Sequence, residues 1–290
     1  MALYPSTVQS AIPQLWAEEL QRALRRVLVY ANVCNRKYEG QLKEKGDSVR
    51  IQTVADISIG AYTRNADVTL QTLTTTDIVL IADQGRTFGF KYDDVDDVQA
   101  IQGIMEEAMS RAAYNMRVEV DTYVATTLQS GVQTANKLTA ATNVGTGAGD
   151  ADAFEILVDL AVTLSNNFVP EDGRWCVVPP WFAGVLKKDP RRSSFGTPEN
   201  ISQYGEGILG IDTVSGLRVY VSTNTPTGGT PGSKTIIAGY DDAATFAEQV
   251  TKFKQVEAPT GFYTNNFGLM VYGAKVTRPY ALASIDVTAA

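Results

Sequence analysis

A chain of 290 residues with 44% hydrophobic content can bury the core of one elaborated domain or two modest ones. Lys and Arg total 25 against 32 for Asp and Glu, and the net charge of −7 argues against a broad basic face for nucleic-acid phosphates. No histidine occurs, which rules out Ser-His-Asp and Cys-His catalysis and histidine-ligated zinc or haem. Two cysteines, Cys34 and Cys176, make no disulfide framework and point to a reducing compartment. The opening MALYPSTVQSAIPQLW has neither the basic region nor the apolar core of a signal peptide, and no apolar run reaches membrane-spanning length.

In chain order, residues 1–13 read as extended, with Pro5 and Pro13 and little to bury. Residues 16–30 read as a short helix, with Trp16, Leu20, Ala23, Leu24, Val27 and Leu28 on one side. Arg22, Arg25 and Arg26 lie on or near the other side, either as a solvated face or as a surface for an acidic neighbour. Over 46–92 the period changes to two. Val49, Ile51 and Thr53 alternate with Arg50 and Gln52, turn-prone GAYTRNAD follows, and the chain returns through DIVLIA and Phe88-Gly89-Phe90. This predicts a long β-hairpin arm. Few of its residues could fill a core of their own, and a lone hairpin is marginal in water, so it needs a surface to lie on.

The next stretch, 96–131, organises the chain. Val98, Ile101, Met105, Ala108, Ala112, Met116, Val120, Val124 and Leu128 form one apolar stripe at helical spacing. At ~1.5 Å per residue this is a spine of roughly 50 Å. Asp93, Asp94, Asp96 and Asp97 suit the positive end of its dipole, and Gly131 reads as a left-handed stop. Residues 137–150, KLTAATNVGTGAGD, read as a flexible connection and domain boundary. A second amphipathic helix over 151–167 follows, capped by Asp150 or Asp152. Then come a buried strand RWCVV, a proline-started helix over 180–188, and a polar loop, DPRRSSFGTPENISQYGEG. Strands LRVYVST and KTIIAGY flank a turn-rich link. Residues 241–246 read as a helical turn, and the tail reads as the strands QVTKFKQVEA, FGLMVYGAKVTRP and YALASIDV.

The letters of a dinucleotide fingerprint occur at Gly205-Glu206-Gly207-Ile208-Leu209-Gly210, without the preceding strand and following helix that the chemistry requires. The run GTGAG from Gly145 lacks the Lys and Ser/Thr of a phosphate loop. The four aspartates at the spine's start lack calcium-loop spacing, and capping explains them. Cys176 sits in an apolar strand where burial makes a thiol inert. Asn200-Ile201-Ser202 fits a glycosylation acceptor without any sign of secretion. No catalytic, cofactor or metal residues emerge.

The ordered set of IPQLWAEELQRAL, then GDSVRIQTVADISIGAY and DIVLIADQGRTFGFKYDDVDDVQA, then ENISQYGEGILGIDTVSGLRVYVSTNTP, then FGLMVYGAKVTRPYALASIDV resembles the major capsid proteins of tailed bacteriophages. These are the Hong-Kong-97-type shell family, and the likeness spans almost the whole chain. It implies an α+β fold with an N-terminal arm and helix (1–40), an extended β-hairpin loop (41–92) and a peripheral domain carrying the spine (93–139). A mixed α/β axial domain (140–247), peripheral-domain strands (248–278) and a closing axial strand (279–290) would complete it. The implied function is a coat subunit forming pentamers and hexamers in an icosahedral head around double-stranded DNA, located in the virion and assembled in the host cytoplasm. Its implied partners are other copies of itself, a portal, decoration proteins, and packaged DNA held without sequence-specific binding. No enzyme activity, cofactor or membrane is implied.

Three departures from relatives matter. No lysine lies between Lys45 and Lys91, so no hairpin-lysine cross-link is expected. The arm begins near Met1, which favours a separate scaffolding protein, and the length leaves no room for a large inserted domain. Subunit contacts are expected at Trp16 and Arg25, at Arg50, Arg64 and Arg86 on the hairpin, at Asp93, Asp94 and Asp97, and at Arg191 and Arg192. The alternatives are an encapsulin-like compartment shell with enzyme cargo, and a carboxylate-dependent hydrolase with two acidic groups in a deep pocket.

Overall fold

The computed structural model describes residues 29–38, 48–54, 75–93, 104–147, 149–188, 208–210, 216–257 and 260–290, with positions 57, 59, 61, 64 and 70–72 between the hairpin strands. Most of the expected N-terminal helix, the first turns of the spine and the polar loop after residue 188 lie outside the described residues.

The hairpin forms as its alternation requires. Strands β1 (Ser48–Val54) and β2 (Thr75–Ile81) pair antiparallel, with Arg50 opposite Val79 and Ile51 opposite Ile78. The third run of the expected arm goes elsewhere. Strand β3 (Gln84–Asp93) leaves the hairpin and joins a three-stranded sheet with β10 (Ala244–Glu257) and β11 (Tyr263–Val276), in the order β10-β11-β3.

Helix α1 (Ile104–Gly131) lies against β11 and buries Met116, Val120, Val124 and Leu128, the later part of the expected stripe, together with Ala113 and Ala125, which lie outside it. Ala108 and Ala112 are only half-buried. Gly131 is not the left-handed stop that its position suggests, since the left-handed glycines among the described residues are Gly149, Gly173, Gly216 and Gly232. Its role is close packing: a Cβ at Gly131 would stand 2.3 Å from a Val276 methyl.

The larger sheet has seven strands in the order β5-β4-β12-β9-β6-β8-β7. These are β4 (Ala141–Gly145), β5 (Ala151–Asp152), β6 (Arg174–Val178), β7 (Ile208–Gly210), β8 (Arg218–Val221), β9 (Lys234–Tyr240) and β12 (Leu282–Ala289). Helix α2 (Ala153–Asn166) crosses from β5 to β6, and helix α3 (Pro180–Lys188) follows β6. Asp152 caps α2 by accepting the Phe154 N–H at 2.8 Å. Both Ile236 and Ile237 of β9 are fully buried, so this strand is covered on both faces. On one side the spine reaches it through Gln129, whose Nε2 donates to Thr235 Oγ1 at 2.7 Å.

Two expectations are corrected. Part of the flexible connection over 137–150 is strand β4, because the last strand, β12, offers it a parallel partner that composition cannot show. Residues 241–246 are not a helical turn: the chain turns at Asp241–Asp242 and is already strand β10 from Ala244. The Gly205–Gly210 fingerprint letters end in β7, which pairs antiparallel with β8, the next element among the described residues.

Alternate residues of the three-stranded sheet serve two cores. Phe246, Met270 and Tyr272 belong to the main core with the spine, whereas Ala247 and Val271 pack with Val49, Leu80 and Ala82 at the root of the hairpin. Backbones approach closely there: a Cβ on Gly273 would meet the Ile81 carbonyl oxygen at 2.2 Å. Gly273→Ala therefore lifts the hairpin root off the sheet and costs ~1–3 kcal/mol by overpacking. Denaturant unfolding checks this, and an unchanged midpoint contradicts it.

Candidate subunit interface

The segment 29–38 is fastened at two places. Asp121, 1% exposed in the middle of the spine, accepts the backbone N–H groups of Val29 at 3.1 Å and Tyr30 at 2.8 Å through Oδ1. Its other oxygen accepts Asn224 Nδ2 at 3.1 Å from the turn after β8. One carboxylate thus ties segment 29–38, the spine and the turn after β8 together. A few residues on, Asn35 runs beside β10, donating its N–H to the Ala244 carbonyl at 2.9 Å and accepting the Phe246 N–H at 3.0 Å. Arg36 pairs with Glu248 and lies over the Phe246 ring. These bonds fix segment 29–38 against the spine and β10.

The hairpin is anchored at its root and open towards its tip. Arg50 is exposed on β1, and Arg64 is exposed near the tip. Arg86, on β3, forms an ion pair at 2.7 Å with Glu119 of its own spine, both half-exposed, so it already has a partner within the chain. Asp93 closes β3 opposite Tyr263. Trp16, Arg25, Asp94, Asp97, Arg191 and Arg192 lie outside the described residues.

Charge reading missed the apolar part of this surface. Ile57, Ile59 and Leu70 near the hairpin tip are 66%, 98% and 90% exposed, and Phe262, in the turn between β10 and β11, is 82% exposed. Four large apolar side chains thus stand exposed at the ends of two hairpins, where the core of the chain does not cover them. The signal was present as alternation in the run ADISIGAY and as an aromatic in the turn PTGFY.

Two adjacent carboxylates, Asp241 and Asp242, line one cavity. A cavity of about 420 Å³ between segment 29–38 and the large sheet is lined in part by Lys37, Arg218, Tyr240, Asp241 and Asp242. Asp242 accepts Asn35 Nδ2 at 2.7 Å and Lys37 Nζ at 3.4 Å, so one carboxylate is committed to holding the arm junction. Burial raises the Asp241 carboxyl, with Arg218 opposing and Asp242 reinforcing the shift. Burial also keeps the thiols unreactive, pushing Cys34 up to about 12 and Cys176 higher. Among the described residues no helix is long and apolar enough to cross a membrane.

Burial raises the Asp121 carboxyl above its ordinary value, partly offset by the bonds from Asn224, Tyr30, Val29 and Ala31. A raised folded-state value means that ionisation costs stability. Asp121's contribution is fullest below the ordinary carboxylate range and is lost as pH rises through the folded value. Asp121→Ala leaves these donors without their acceptor and costs ~2–3 kcal/mol. Asp121→Asn keeps an acceptor, costs less and removes this part of the pH dependence. Unfolding midpoints measured across acid pH check both, and an Asp121→Ala protein as stable as the parent contradicts the anchoring role.

Comparison with known proteins accords with this architecture. The chain resembles a structure of Mycobacterium phage Che8 at 23% identity, covering 89% of this chain and 91% of that one with a TM-score of 0.66. It also resembles the capsid of cyanophage P-SCSP1u, at 15% identity, 91% and 88% coverage and a TM-score of 0.68. A third likeness is to the capsid of Ralstonia phage GP4, at 14% identity, 89% and 87% coverage and a TM-score of 0.61. No curated protein matches the sequence. The α+β fold is thus the Hong-Kong-97-type capsid fold. The sequence pattern of the family described as phage capsid protein matches residues 74–285, well over half of the chain, and the chain belongs to that phage capsid protein family.

Proposed function

We propose that this chain is the major coat protein of a tailed-phage head, self-assembling as pentamers and hexamers into an icosahedral shell around double-stranded DNA. One observation within the capsid family carries the reading: a hairpin fixed to its own sheet at Val49, Leu80 and Ala82 carries a tip with Ile57, Ile59 and Leu70 in the open. A root held within the subunit and an apolar tip reaching beyond it suit an arm that lies on a neighbour. Many such modest contacts, closed by symmetry, stabilise a shell that no single contact could hold.

The division of labour follows. The spine with the β10-β11-β3 sheet forms the peripheral part, and the seven-stranded sheet with α2 and α3 forms the axial part, closed by β12. Arg50, Arg64 and the acidic stretch 93–97 contribute polar contacts between subunits, and Trp16 and Arg25 dock the arm. The net charge of −7 suits a container whose wall should not hold packed DNA. A separate scaffolding protein guides assembly in the host cytoplasm, a portal occupies one vertex, and decoration proteins can bind outside. The role is structural and not catalytic.

The mass of the purified chain in solution, with electron micrographs of the same sample, tests this. Closed shells, or rings of five and six, with or without scaffold, are expected. A chain that stays monomeric with scaffold present contradicts the reading, and protein cargo in place of DNA inside shells recovered from cells favours a compartment over a head. Arg64→Glu reverses the charge of an exposed tip residue whose pairing is worth only ~1 kcal/mol per contact. It is expected to reduce shell yield several-fold through repetition while the monomer's unfolding midpoint stays unchanged. Normal shells from this variant contradict a role for Arg64 in the contact.

A further inference from the structure

Helix α2 ends on a phenylalanine where such helices favour glycine. The closing hydrogen bonds run from Phe168 N to the Ser165 carbonyl at 3.0 Å and from Val169 N to the Leu164 carbonyl at 3.1 Å, the pattern of a Schellman stop. Phe168 occupies the left-handed position of that stop, with φ of +57°. A bulky side chain is strained there. Burial does not account for it either, because the ring is 95% exposed.

The loop is nonetheless held firmly. Arg174, 3% exposed at the start of β6, donates Nε to the Pro170 carbonyl at 2.8 Å and Nη2 to the Val169 carbonyl at 2.5 Å. Its Nη1 donates to Ser165 Oγ at 3.0 Å and to the Ala161 carbonyl at 3.3 Å. One buried guanidinium therefore grips both sides of the turn. Strain that is kept in place in this way, under an aromatic ring offered to solvent, points to use by another molecule.

The surroundings say which. Glu171 and Asp172 are exposed three and four residues after Phe168, and the same loop is tied to the turn after β9, where Asp241 donates its N–H to the Gly173 carbonyl at 3.2 Å. The opposite charge occurs on the same chain: α3 ends in exposed Lys187 and Lys188, which lead in sequence to Arg191 and Arg192. We propose that Phe168 is an anchor between axial bodies, seated against the C-terminal end of α3 of a second copy, with Glu171 and Asp172 facing Lys187 and Lys188. Different patches meet in this contact, so it is heterologous and suits a ring. The proposal rests on the coat-protein reading above.

Phe168→Gly separates this role from a structural one. Removing the ring relieves strain, so the unassembled chain should melt at the same or a higher temperature, while assembly weakens by ~10-fold or more, as for a central aromatic contact. Lys187→Glu with Lys188→Glu should also impair assembly, and adding Glu171→Lys with Asp172→Lys should restore it. A Phe168→Gly chain that assembles like the parent overturns the anchor, and so does one whose monomer is destabilised. Failure of the reversed charges to restore assembly overturns the assignment of its partner surface. A parent chain that never assembles, even with scaffold, overturns the coat-protein reading as well; a parent that assembles beside an unaffected variant overturns this inference alone.

Discussion

Strand β11 must satisfy two cores at once, and the packing of both spine and hairpin depends on that. Its residues alternate between the spine side, with Met270 and Tyr272, and the hairpin side, with Val271. Hydrogen bonds to β10 and β3 fix the strand laterally over most of its length. The spine and the hairpin thereby share one reference plane, although nearly the whole sheet lies between them. Gly273 makes this possible, since no side chain could stand where the Ile81 carbonyl crosses.

The same logic explains why the chain leaves apolar groups in water. A hairpin root built from Val49, Leu80 and Ala82 completes its burial within the subunit, whereas Ile59, Leu70 and Phe262 have no such option. The anchors Asp121, Arg174 and Asp242 each use a polar group to fix the direction of a loop or of segment 29–38. Precise exit directions matter for a subunit that must meet several identical neighbours, because a small angular error at the root becomes a large displacement at the tip.

Much of this was legible in the sequence. The stripe Met116, Val120, Val124 and Leu128 gave the spine, period-two alternation gave β1 and β2, and Asp152 marked the start of α2. What was not legible shares one physical cause, namely partners distant along the chain. Strand β4 exists because β12 is beside it, β3 leaves the hairpin because β11 offers a longer edge, and Gly131 ends a helix by touching Val276 without turning left-handed. The anchors were missed for a related reason. Asp121 is a carboxylate inside an apolar stripe, which could have been flagged as anomalous, but the Val29 and Tyr30 amides it serves lie about ninety residues earlier. Of the arginines chosen for their charge, Arg86 pairs with Glu119 of its own chain, a partner that sequence spacing does not show.

The central claim is that the hairpin is fixed at its root within one subunit and completes its burial only on a neighbour. Amide hydrogen exchange, compared between the unassembled chain and purified shells, tests it most directly. The account predicts slow exchange at 49–51 and 78–81 in both states, with strong new protection at 57–72 only in shells. Tip amides that exchange equally fast in both states, or a root that becomes protected only on assembly, would contradict it.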